Sequence, residues 1–157
     1  MENKKEIMLA CPIGKYLTKD GIDKTFEQAI KEIYSLIQQY TQRIAFSLKR
    51  EDYGRNKMWG DVCTPLDFND VRNCKYIIAF PEDSGGVAVE LGWASAWQKE
   101  LLVFVDEKYR TSELIKFIDL VTPAKVVKIN TSNGYQNVMP VIKKEINLFL
   151  SQKFNKE

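Results

Sequence analysis

Tyr76-Ile77-Ile78-Ala79-Phe80-Pro81-Glu82-Asp83-Ser84-Gly85-Gly86-Val87-Ala88-Val89-Glu90-Leu91-Gly92-Trp93-Ala94 decides the fold. Tyr76 to Phe80 is a continuous apolar run, the pattern of a strand covered on both faces. Pro81 to Gly86 is rich in turn residues, and a helix is predicted from about Val87 to Gln98. A buried strand that turns straight into a helix is half of a β-α-β unit.

The same alternation repeats outward in both directions. Ile7 to Ala10, Arg43 to Leu48, Leu101 to Val105 and Lys125 to Ile129 are further short apolar runs. Between them lie helical periodicities. Thr25 with Gln28 makes a capping box ahead of Phe26, Ile30, Ile33, Ile37 and Tyr40. Thr64-Pro65 is a helix start, with the threonine as cap, carrying Leu66, Asp67 and Val71 to about Asn73. Thr111 to Leu120 and Val138 to Leu150 complete the set, the latter with Val138, Ile142, Ile146, Phe149 and Leu150 on one face. Lys49 to Cys63 reads as a long loop or partly helical excursion. Five buried strands alternating with helices imply an α/β fold, a five-stranded parallel sheet in a Rossmann or flavodoxin-like three-layer sandwich. Residues 1–157 suit one domain, and no repeat or linker interrupts them.

Composition narrows the chemistry. The chain has no histidine, which removes Ser-His-Asp and Cys-His systems, histidine-ligated metals and imidazole bases together. Proton transfer falls to carboxylates, tyrosine, lysine, cysteine or the substrate. Cys11, Cys63 and Cys74 lack any CxxC spacing and read as reduced thiols in the cytoplasm. Net charge is only +2 and dispersed, which argues against a nucleic-acid polymer as partner. No apolar stretch approaches the length of a membrane span, and Pro12 interrupts the N-terminal one too early for a signal peptide.

In a parallel α/β sheet, ligands bind at the carboxyl ends of the strands. Three segments with unusual chemistry are predicted there: the loop holding Gly14 and Lys15, the helix start holding Asp67, and Ser84 to Glu90. Gly85 and Gly86 let a backbone approach an anion, and the helix start offers unpaired N–H groups. Ser84 can donate to a phosphate oxygen. Equally, Ser84 can be a plain cap and the glycines a plain turn. Glu90 lies in an apolar segment, where a carboxylate has a partner or a task, though a glutamate near a helix start is also favoured by the dipole. Asp67 can serve its own helix start, Asp70 reads as solvated, and Lys15 and Arg50 can be surface charges. Tyr53 and Trp59 are candidates to stack on a base, whereas Trp93 and Trp97 sit at helical spacing typical of core or interface.

The order Lys49-Arg50-Glu51-Asp52-Tyr53-Gly54, Leu66-Asp67, Ala79-Phe80-Pro81 and Ser84 through Glu90-Leu91-Gly92-Trp93-Ala94-Ser95 resembles the nucleoside 2-deoxyribosyltransferase-like superfamily. Within it the chain is most similar to the nucleotide N-glycosidases of the CMP and hydroxymethyl-CMP hydrolase type. The last block is the specific one. The resemblance implies that Glu90 is the catalytic glutamate at the anomeric carbon, and that Asp67 orients the sugar or handles the departing base. It implies that Ser84, six residues before Glu90, binds a 5′-phosphate where nucleoside transferases carry an aspartate. Asp83 stands one residue too early to match that aspartate. The first loop departs from the family pattern of glycines with an arginine, leaving Gly14, Lys15 and Arg50 to supply the phosphate contacts.

The implied reaction hydrolyses the base–sugar bond of a nucleoside 5′-monophosphate to free base and (deoxy)ribose 5-phosphate. No metal or organic cofactor is implied, and the implied assembly is a homodimer or higher homo-oligomer. The competing readings are a 2-deoxyribosyltransferase that exchanges bases, and a nucleotide-sensing module without turnover.

Overall fold

The computed structural model describes residues 5–154. Their order is β1 (Ile7–Ala10), the hairpin β2 (Leu17–Thr18) and β3 (Gly21–Ile22), α1 (Lys24–Gln38), β4 (Ile44–Ala45), α2 (Ser47–Arg50), α3 (Gly60–Asn73), β5 (Tyr76–Ala79), α4 (Gly85–Ala96), β6 (Glu100–Asp106), α5 (Glu113–Lys116), β7 (Ala124–Ile129) and α6 (Tyr135–Ser151). Short 3-10 turns occupy Gly14–Tyr16, Asp52–Gly54 and Ile118–Leu120.

The main sheet has the order β4-β1-β5-β6-β7, parallel throughout. The chain starts in the interior at β1, steps to one edge with β4, then crosses to β5 on the other side. That is the doubly wound flavodoxin-like order, whose direction reverses beside β1. Side chains alternate between two cores. Ile7, Leu9, Ile78, Phe80, Leu102 and Phe104 face α1 and α6, with Phe80 and Phe104 stacked at 4.8 Å. Met8, Ala10, Ile77, Ala79, Leu101 and Val103 face the other way, against Val87, Leu91 and Ala94 of α4.

Four expectations from the sequence are corrected, and one element is added. The helix expected from Thr64 begins at Gly60, because Trp59 C=O already accepts from the N–H groups of Val62 and Cys63. Pro65 lies at the sixth position of that helix, past the first turn, where its missing N–H forfeits the bond to the Asp61 carbonyl. Asp23, not Thr25, caps α1, accepting from Phe26 N–H at 2.9 Å. The strand expected over 43–48 pairs only at Ile44–Ala45, since Ser47–Arg50 turn helical. The helix expected over 111–120 is one turn at Glu113–Lys116 followed by a 3-10 turn. The β2–β3 hairpin gave no signal, being two residues per strand with Gly21 at φ +118°.

Candidate active site

The carboxyl ends of β1 and β5 open at Cys11 and Phe80, beside the reversal of strand order, and the chemistry gathers around them. Glu90 sits on α4, whose Val87, Leu91 and Ala94 pack on the sheet. It is 9% exposed, and its carboxyl makes no hydrogen bond or ion pair among the described residues. Burial, reinforced by the Asp67 charge and opposed by Arg50, pushes its pKa up to about 8, with Asp70 adding to the rise. The same carboxyl, after burial itself, helps push the Cys11 thiol upward, so the end of β1 lies in its field.

Asp67 and Asp70 stand three residues apart on α3, hence on one face. Arg50, from the end of α2, spans both: one guanidinium nitrogen pairs with Asp67, the other with Asp70 at 2.9 Å. Asp70 is therefore an ion-pair partner and not the solvated residue expected from the sequence, and burial still holds its carboxyl above the usual range. Arg50 is less a phosphate ligand in this arrangement than the cation of a carboxylate cluster. Glu51 joins it. It is 4% exposed, and burial followed by the Asp67 charge raises its pKa. Nothing in the local pattern distinguished Glu51 from the charged residues around it.

Ser84 caps α4, its Oγ accepting from Val87 N–H at 3.4 Å. That bond uses an oxygen lone pair and leaves the hydroxyl proton to donate. Gly85 and Gly86 are ordinary helical residues in the first turn; the left-handed residues are Glu82 (φ +39°) and Asp83 (φ +62°). A Cβ on Gly85 would meet nothing within 4 Å, and one on Gly86 only the Ser84 hydroxyl at 3.8 Å. Neither glycine is required by the turn or by internal packing. A cavity of about 120 Å³ adjoins this helix start, lined by Ser84, Gly85, Asp83, Arg110, Thr111 and Ser112 among others. Arg110 escaped the sequence reading.

Gly14 opens an exposed 3-10 turn, and Lys15 beside it is engaged: its Nζ lies 2.7 Å from a Glu82 carboxylate oxygen and 2.9 Å from the Glu82 carbonyl. Tyr53, at φ +53°, packs edge-on against Phe46 with Lys31 Nζ 4.3 Å from its ring centroid, so one ring face is already covered by a cation. Trp59 is 83% exposed, just before α3. Trp93 and Trp97 both meet Phe68 of α3 edge-on, within the chain.

Among the described residues no group of three or more His, Cys, Asp or Glu side chains is placed to hold a metal ion, and no helix is long and apolar enough to cross a membrane. The three cysteines are free thiols.

Neither a protein-family model nor a curated protein matches the chain. Solved structures do. The Clostridium botulinum CMP N-glycosidase BcmB superposes with a TM-score of 0.62 at 22% identity, over 92% of this chain and 99% of that one. BlsM, known from its solution structure, superposes with a TM-score of 0.66 at 21% identity, over 100% of this chain and 98% of its own. Along nearly its whole length, the chain has the fold of a CMP N-glycosidase.

Proposed function

We propose that the chain is a nucleoside 5′-monophosphate N-glycosidase with Glu90 at the anomeric carbon. One observation carries this reading: Glu90 is a largely buried carboxyl without a protein hydrogen-bond partner, its oxygens still reaching solvent, on the helix that Ser84 begins and beside the Arg50–Asp67–Asp70 cluster. Desolvation makes the charged form of such a carboxyl costly, and such a cost is retained where chemistry needs it. The CMP N-glycosidase activity of BcmB supports the same class.

As the base leaves, the C1′–N electron pair goes to the base nitrogen and the sugar gains oxocarbenium character. The Glu90 carboxylate stabilises or traps that carbon. Asp67, oriented by Arg50, accepts from a sugar hydroxyl and positions the ring as the base departs. Water then adds its hydroxyl to C1′, displacing the Glu90 oxygen where a bond to it has formed, and its proton ends on the departed base nitrogen, giving free base and (deoxy)ribose 5-phosphate. Ser84 and the amides of Gly85 and Gly86 take the phosphate, at a helix start where the dipole favours an anion. The two glycines, needed neither by the turn nor by packing, leave room for it.

Free-base release measured by chromatography, across ribo- and deoxyribonucleoside monophosphates and their unphosphorylated nucleosides, tests the assignment. Release from monophosphates alone supports it. Base exchange without hydrolysis would make the chain a transferase, and tight binding without release a sensor. Ser84→Ala should raise KM for monophosphates about tenfold, the loss of one charge-assisted hydrogen bond. It should leave any turnover of nucleosides unchanged, and cost about 1 kcal/mol of stability through the lost cap.

The proposal extends to assembly as a homodimer in the cytoplasm, where three free thiols stay reduced. Leu114, Phe117, Leu120 and Val121 are exposed together along a groove beside α4, an apolar area of the kind that pairs with another surface. Sedimentation velocity should show a dimer that Leu114→Glu with Phe117→Glu converts to monomer. A monomeric wild type would sink this part.

A further inference from the structure

The turn ahead of Ser84 is held in a conformation its residues do not favour. Ser84 N–H donates to Pro81 C=O at 2.7 Å, closing a four-residue turn. Its central residues, Glu82 and Asp83, both have positive φ, +39° and +62°. That is the type I′ pattern, for which Asn-Gly is the favoured pair. Each non-glycine residue there costs about 1 kcal/mol or more. Something must hold the turn, and three side chains converge on it. The Glu82 side chain is fully buried, and one of its carboxylate oxygens takes both Lys15 Nζ at 2.7 Å and the Tyr16 hydroxyl at 2.6 Å. Lys15 donates again to the Glu82 carbonyl at 2.9 Å, fixing the backbone directly. Both donors are anchored in turn. Tyr16 stacks on Phe26 at 3.7 Å, and Lys15 Nζ rests 3.2 Å from the Tyr109 ring centroid.

We propose that Lys15, Tyr16 and Glu82 form a clamp that fixes the Pro81–Ser84 turn so that the Ser84 hydroxyl and the Gly85 and Gly86 amides are preset for a phosphate. Lys15 and Glu82 are then positioning residues, and the Lys15 charge is spent inside the protein instead of on the ligand. The inference rests on the reading of Ser84–Gly86 as the phosphate site. Its physical logic is preorganisation: strain is kept where geometry must be exact before the ligand arrives, and neighbouring contacts offset it.

The test separates a clamp from a ligand by making the clamp unnecessary. Lys15→Met leaves Glu82 buried without its cation, so the turn should relax. The backbone amide resonances of residues 84–87 should shift in the free protein, and KM for a nucleoside monophosphate should rise about tenfold with kcat within about twofold. The triple variant Lys15→Met, Glu82→Asn, Asp83→Gly installs the favoured turn pair and buries no unpaired charge. It should return both the amide resonances and KM to within about twofold of wild type. A triple variant with wild-type amides but a raised KM would make Lys15 a phosphate ligand and overturn the clamp. So would a Lys15→Met protein whose amides do not move. Should Lys15→Met fail to fold, the triple variant set against wild type decides the same question. If wild type releases base from no nucleotide, the substrate reading falls while the amide measurements still judge the clamp.

Discussion

Glu90→Gln should lower base release at least about a thousandfold while leaving the melting temperature unchanged or higher, because the amide keeps the shape and cannot trap the anomeric carbon. Chromatographic turnover and a circular-dichroism melt check the two halves; a folded variant with full activity would remove Glu90 from the mechanism. The pH profile sharpens the point. With its pKa near 8, the Glu90 carboxyl of the free enzyme holds a proton at neutral pH. If the ionised form does the work, kcat/KM should rise with pH and level off above about 8. Asp67 is the chief charge holding that value up, after burial, so the residual activity of Asp67→Asn should level off at lower pH. A profile that falls above the same point would recast Glu90 as a proton donor.

Arg50→Met should be the most damaging change on the opposite wall. It strips the cation from Asp67 and Asp70 at once, with Glu51 and Glu90 close enough to feel the Asp67 charge. Leaving partly buried carboxylates unpaired should cost about 3 kcal/mol, the lower end of the range for breaking a buried pair. Urea unfolding at neutral pH reads that loss. Stability should recover as the pH falls, because the crowded carboxylates then take up protons. Turnover should fall about a hundredfold through the misplaced Asp67. Unchanged stability would mean that solvent already screens the cluster.

Strand and helix alternation was legible because it depends on local periodicity. The run from Tyr76 to Phe80 and the faces of α1 and α6 are each readable within a dozen residues. Boundaries were less so. Thr64-Pro65 is a true capping signature overridden by a helix that had already begun at Gly60. Of the site, Ser84 and Glu90 lie on one helix at a spacing that the chain itself displays. What could not be read is what long-range packing creates. Arg50 meets Asp67 and Asp70 only after α2 and α3 dock, Lys15 meets Glu82 across 67 residues, and Glu51 is buried by neighbours its own segment does not contain. Lys15 carried a suggestive charge, but its direction depended on a glutamate that looked like part of an ordinary turn.

The place of β1 in the sheet bears on how the chain emerges from the ribosome. It is made before both strands it pairs with, its register with β5 joins Ile7 to Tyr76, and its other neighbour, β4, pairs over only two residues. Until the segment carrying β5 has been synthesised, β1 keeps one bare hydrogen-bonding edge and an apolar surface with no cover. A nascent chain stalled within α3 would therefore be the most aggregation-prone stage of its synthesis, and the stage with the greatest need of a chaperone.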